Sequence, residues 1–140
     1  MISDALFFVL TNAPAITAIV GTSASRKDST AGVFAGEMPP NTPNPSIVTR
    51  QISGDSDMTF DGPSGVQYVR FQFSCYGQYL QSKQLARAVN QALERFTGTC
   101  PDGTQIQNMQ TVLEADTFQE APYQYVTSIE LEITYADPTF

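Results

Sequence analysis

From Val69 onward the chain alternates, with Val69, Phe71, Phe73 and Cys75 apolar and Arg70, Gln72 and Ser74 polar. A period of two is that of a strand with one buried face. A longer example lies near the C-terminus. Tyr123, Tyr125, Thr127, Ile129, Leu131, Ile133 and Tyr135 fall on one face, and Gln124, Ser128, Glu130, Glu132 and Thr134 on the other. That pattern predicts a strand packed on helices on one side and turned to solvent or a partner on the other, ended by Asp137 and Pro138. Between these strands the period lengthens: Leu85, Ala86, Val89, Ala92, Leu93 and Phe96 recur every three or four residues, which predicts a helix from about Ser82 to Phe96. Thr97 and Gly98 stop it, and "CPDG" at 100–103 turns the chain into a strand around Thr104 to Leu113.

The N-terminal segment reads as two short helices. Ser3 is a candidate N-cap with Asp4 behind it, and Leu6, Phe7, Val9 and Leu10 supply apolar surface. Pro14 suits the first position of a second helix, which Ile16, Ile19 and Val20 carry to Gly21. Thr22 to Pro45 contains Pro39, Pro40, Pro43 and Pro45 and cannot be helical through "PPNTPNP". Only Gly32 to Gly36 could pair there as a strand. Ile47 onward is a strand that leads into an acidic turn, Gly54 to Gly65, holding Asp55, Asp57 and Asp61.

These elements predict an α+β fold in one domain spanning residues 1–140, with residues 22–45 as an extended loop or arm. The sheet is expected to be mostly antiparallel with four to five strands, carrying the N-terminal helical pair and one central helix. The expected core is Phe7, Leu10, Ile19, Val69, Phe71, Phe73, Leu85, Val89, Leu93, Phe96, Ile129, Leu131 and Ile133. At 140 residues the chain can bury roughly two thirds of its unfolded surface. It therefore needs no disulfide staples, and Cys75 falls on an apolar strand face where a thiol acts as a small hydrophobe.

Composition narrows the function. Seven basic against fourteen acidic residues give a net charge of −7, which disfavours binding to a phosphate backbone. Lys83, Arg87 and Arg95 recur at helical spacing and read as a solvated face or as partners of Glu94 and its neighbours. The apolar run Ala5 to Leu10 is too short for a membrane span and lacks a basic leader, so no membrane association is expected. With no histidine, catalytic triads and histidine-based metal sites are excluded. The acids sit on turns and strand faces rather than on apolar walls that could set two carboxylates to different tasks. A calcium-loop reading of Asp55 to Asp61 fails because Phe60 and Val66 stand where glycine and an acid are required. No phosphate-binding or nucleophile-elbow motif occurs, so no enzyme, metal or cofactor is expected.

The wording of the middle segment carries a resemblance. "QISGDSDMTFDGPSG", "VRFQFSCYG" and "QLARAVNQALERF", in that order, are similar to the tail-completion (tail terminator, head-tail joining) family of long-tailed bacteriophages. The order extends outward: "ALFFVLTNAPAITAIVG" corresponds to a helical pair ending in glycine, "PSIVTRQIS" to the next strand and "YQYVTSIELEITY" to the C-terminal strands. Residues 22–45 are longer than that pattern expects.

The resemblance implies a structural virion protein that forms a homo-hexameric ring, caps the tail tube and joins it to the head. Its partners would be the major tail tube protein and the head completion or neck connector protein. DNA would pass through the lumen without sequence-specific binding, helped by like-charge repulsion from an acidic wall. The implied location is the head-proximal neck of the virion, after assembly in the host cytoplasm.

Two segments are long and poor in apolar residues, which points to recognition rather than core packing. Asp55, Asp57 and Asp61 are candidates for an interface or lumen loop; Arg26, Lys27, Phe34, Pro39 and Pro40 are candidates for an inter-subunit arm. The alternative is a small cytoplasmic α+β binding or regulatory module that holds a peptide or small ligand. Oligomeric state separates the two.

Overall fold

The computed structural model describes residues 2–21, 32–36, 45–59, 62–94, 96–101, 103–120 and 123–136. Three helices and six strands follow in the order α1 (Ile2–Thr11), α2 (Pro14–Val20), β1 (Val33–Ala35), β2 (Ser46–Thr59), β3 (Gly62–Gly77), α3 (Tyr79–Leu93), β4 (Gly98–Thr99), β5 (Gln105–Glu120) and β6 (Tyr123–Ala136). They form one sheet of order β1-β2-β3-β6-β5-β4. The expected sheet of four to five strands is thus six-stranded and mixed, because β1 runs parallel to β2 while every other pairing is antiparallel. A three-residue edge strand formed from Gly32 to Gly36 leaves too short a pattern for its direction to be read from sequence.

The sheet is two long hairpins, β2–β3 and β5–β6, joined through β3 and β6. Along that seam Phe71 faces Leu131 and Phe73 faces Ile129. All four are buried on the face that α3 covers, together with Val69, Cys75 and Ile133. Because side chains alternate, Gln72, Ser74, Glu130 and Glu132 lie on the opposite face.

Helix α3 begins at Tyr79, three residues before the expected start. Gln78 and Gln81 form a reciprocal capping box, an arrangement that satisfies otherwise orphaned amides at the first turn. The helix presses Leu85, Ala86, Val89 and Leu93 onto the sheet. It ends at Leu93 rather than Phe96, which lies past the helix but still packs partly buried against the core.

In α1 the inward stripe is Ile2, Ala5, Leu6, Val9 and Leu10. This stripe leaves Phe7 45% exposed, which corrects its place in the expected core. One helical step of about 100° carries it off the buried face that Leu6 occupies. The helix already includes Ser3, so Ser3 is not its cap. At the other end the Thr11 hydroxyl donates to the Phe7 carbonyl at 2.8 Å and the Asn12 amide to the Phe8 carbonyl at 2.9 Å, satisfying carbonyls that the helix cannot. Pro14 opens α2 as expected, and Gly21 closes it at φ 85° with its N–H on the Thr17 carbonyl. Ile19 is only partly buried.

Strand β5 is longer than the expected Thr104 to Leu113, reaching Glu120. Its register shifts between Ile106 and Asn108 and again between Thr111 and Leu113. The first shift lets Ile106 and Met109 both point inward and be buried. Three-residue spacing of this kind breaks the period of two on which a strand reading depends. The tight turn ahead of it is closed by Cys100 N–H to the Thr104 carbonyl at 2.9 Å and Gly103 N–H to the Cys100 carbonyl at 2.8 Å.

Phe73→Ala and Leu131→Ala should each destabilise by about 2–5 kcal/mol, as should Leu6→Ala. Phe7→Ala, one residue along α1, and Gln72→Ala should each change stability by only about 0.5 kcal/mol. Denaturant titration checks this; a large loss from Phe7→Ala with little from Leu6→Ala would mean that the helix faces are reversed.

Candidate interaction surface

The sheet face not covered by α3 carries a polar lattice. The Arg50 guanidinium donates to the Gln72 side-chain carbonyl at 2.9 Å, and the Ser74 and Ser128 hydroxyls meet at 3.5 Å. Arg70 Nε lies 3.0 Å from Glu130 Oε1. That approach is an ion pair off the hydrogen-bond line, because Arg70 Nε is buried without a well-aligned acceptor. Two basic and two acidic groups, Arg50, Arg70, Glu130 and Glu132, nearly balance on this face. A cavity of about 480 Å³ opens beside them, with Ser53, Tyr68, Arg70, Asn108, Glu132 and Thr134 in its wall.

The opposite end of the sheet is pinned to α3. Lys83 pairs with Asp116 of β5, and its ammonium sits 5.7 Å from the centre of the Tyr79 ring. Tyr79 meets Tyr125 of β6 edge-on at 5.3 Å. The Lys83 ammonium is held above its ordinary value first by its hydrogen bond to Asp116. Nearby, the buried Ser82 and Thr127 hydroxyls bond each other at 3.2 Å, and Thr111 bonds Asn90. Asn90 Nδ2 also donates to Glu94 at 3.3 Å. Lys83 therefore serves the β5 strand rather than Glu94, and Arg95 lies outside the described residues.

The acidic residues are placed differently from the expected turn. Strands β2 and β3 run to Thr59 and from Gly62, so Asp55 and Asp57 belong to the hairpin ladder rather than to a long turn. Asp55 stands opposite Tyr68, and Asp57 sits at a register shift between Ser56 and Met58. Glycine and aspartate are poor strand formers, and pairing with β3 overrides that preference. Phe34 lies in β1 opposite Val48 and is half-buried. Asp61, Arg26, Lys27, Pro39 and Pro40 lie outside the described residues. Among the described residues, Asp55 and Asp57 share the β2–β3 hairpin, and Phe34 lies in β1 at the other end of β2.

Sequence reading missed an apolar groove. Phe8, Ala13 and Pro14 at the α1–α2 junction face Ala88, Ala92 and Phe96 across a space of about 390 Å³. Phe7 and Phe8 are 45% and 40% exposed, which marks the groove's flank as an apolar surface. The signal was present: α1 holds more large apolar residues than one inward stripe can use.

Nothing among the described residues suggests chemistry. No group of three or more Cys, Asp or Glu could hold a metal, and no helix is long and apolar enough to cross a membrane. Cys75 and Cys100 are buried and are not joined by a disulfide. Burial pushes the Cys75 thiol far above its ordinary 9.0, so it stays protonated and unreactive.

That shift has a pH consequence. The unfolded chain releases the thiol proton as pH passes 9.0 while the folded chain keeps it. Stability is therefore full below that pH and falls above it, by about 1.4 kcal/mol per pH unit for one thiol. Lys83, raised from 10.5, acts in the same direction at still higher pH. Denaturation midpoints measured from pH 8 to 10 should fall more steeply for the wild type than for Cys75→Ala, whatever the variant's lower starting stability. Identical slopes would contradict the buried thiol.

The whole fold has a counterpart in a large assembly. A chain of the "Virion of native gene transfer agent (GTA) particle" superimposes with a TM-score of 0.68 at 14% identity, covering 95% of this chain and 92% of that one. At that identity the likeness is one of fold. No curated protein matches the sequence. The family described as tail completion protein gp17 matches residues 4–135, from the first turn of α1 to the end of β6. A match of that extent takes in every element from the helical pair to the last hairpin, and this chain belongs to the bacteriophage tail completion protein gp17 family.

Proposed function

We propose that this protein is the ring subunit that finishes a phage tail. The family match over residues 4–135 carries the reading. The chain acts as one domain, without catalysis. Copies assemble in the host cytoplasm into a hexameric ring that caps the tail tube, blocks further tube subunits and presents its other face to the head completion or neck connector protein. DNA crosses the central channel without sequence-specific contacts.

A charge of −7 per copy supports that last step, since acidic groups on a channel wall repel phosphate. The acidic stretch that contains Asp55, Asp57 and Asp61 serves as an interface or lumen element. The segment holding Arg26, Lys27, Phe34, Pro39 and Pro40 reaches a neighbouring subunit.

Quantitative mass spectrometry of purified particles should find about six copies per virion, the count of one closed sixfold ring. Removing the gene should leave unjoined heads and tails. Absence from purified particles, or one copy per particle, would overturn the reading.

A further inference from the structure

Among the described residues, the two edges of the sheet are only partly covered. Strand β1 covers β2 only at Ile47 to Thr49, and β4 covers β5 only at Gln105 and Ile106. Beyond these, no described strand pairs with the outer side of β2 from Arg50 to Thr59 or of β5 from Gln107 to Glu120. The side of β2 involved is known. Ile47 N–H donates to the Gly32 carbonyl and the Thr49 carbonyl accepts from Gly36 N–H, each at 2.8 Å. Main-chain groups alternate, so Gln51 is the next residue to turn its N–H and C=O outward, where β1 has ended.

Proline and lysine, two of the usual devices that keep edges apart, are absent from both exposed stretches, although each carries register shifts, a third such device. Both carry exposed apolar side chains instead: Ile52 at 43% on β2, and Val112 and Leu113 at 39% and 46% on β5.

The two edges also match in polarity. β2, β3, β6 and β5 are each antiparallel to the next. β2 and β5 therefore run in opposite directions. Rotating a copy about an axis along the strands preserves those directions, so β5 of one copy meets β2 of the next antiparallel, the more stable arrangement. A head-to-tail contact of this kind closes into a ring when the rotation fits, and closure removes the edges.

We infer that β5 of one copy pairs, as an added antiparallel strand, with the outer side of β2 of a second copy. The inference rests on the ring reading and names its joint. Acids lie on both edges, Asp55 and Asp57 on one and Glu114 and Asp116 on the other. Asp116 is already paired with Lys83. The remaining like charges oppose association by exposed-pair energies that salt screens, whereas several main-chain hydrogen bonds accumulate. Association should therefore strengthen as salt rises.

Hydrogen exchange read amide by amide on the full-length ring, isolated alone or released from particles, tests the joint. Continuous slowing across Gln51–Gly54 and Asn108–Asp116 is expected. A ring in which the outward amides of those stretches, whose spacing the register shifts at Gln51/Ser53 and Thr111/Leu113 interrupt, exchange at the rate of an open edge overturns the joint and leaves the ring standing. Protection that appears only after the tail tube or neck protein is added also overturns it, since the edges then receive another protein. A chain that forms no ring, alone or in particles, fails the ring reading itself.

Discussion

The pairing of β3 with β6 is the constraint on which the rest depends. Among the described strands it is the seam that joins the β2–β3 and β5–β6 hairpins, and it lays Phe71 and Phe73 against Leu131 and Ile129. A slip of one residue would turn those side chains to the polar face and bring Arg70, Gln72 and Glu130 inside. Helix α3 follows directly from β3, and its Leu85, Val89 and Leu93 close over the same side chains. The α1–α2 pair then packs against α3, so the helical layer inherits its position from the sheet.

Among the described residues, this arrangement leaves the surface rather than an interior site to carry the proposed function. All helices described lie on one side, leaving the other sheet face to a nearly balanced lattice of Arg50, Arg70, Glu130 and Glu132. The buried thiol at Cys75 is held protonated and out of reach, and the exposed cation at Lys83 is engaged by Asp116. What remains available is shape, main-chain edges and an apolar groove beside Phe7 and Phe8. Under the proposed function those are the means of assembly.

Much of this was legible in the residues. The inward faces of β3 and β6 followed from strict alternation, and Pro14 and Gly21 bounded α2 as glycine and proline do. The start of α3 was misplaced because glutamine is a weak cue for a cap; the reciprocal Gln78–Gln81 bonds appear only once the turn exists. Strand β5 was truncated because two register shifts interrupt its period. Phe7 was assigned to the core because a helix with adjacent apolar residues does not announce which one its neighbours will cover. Asp55 and Asp57 read as a turn because local preference favours one, whereas the partner strand β3 decides otherwise. Nothing local could show that β2 and β5 lie near the edges of the described sheet, since an edge is a property of the finished strand order.

The most direct test of a ring-forming tail completion protein is a density map of the assembled neck and tail. The account predicts a closed ring of this fold at the head-proximal end of the tail tube, with its channel in line with the tube. Density for the chain elsewhere in the particle, or as an isolated subunit off the tail axis, would contradict it.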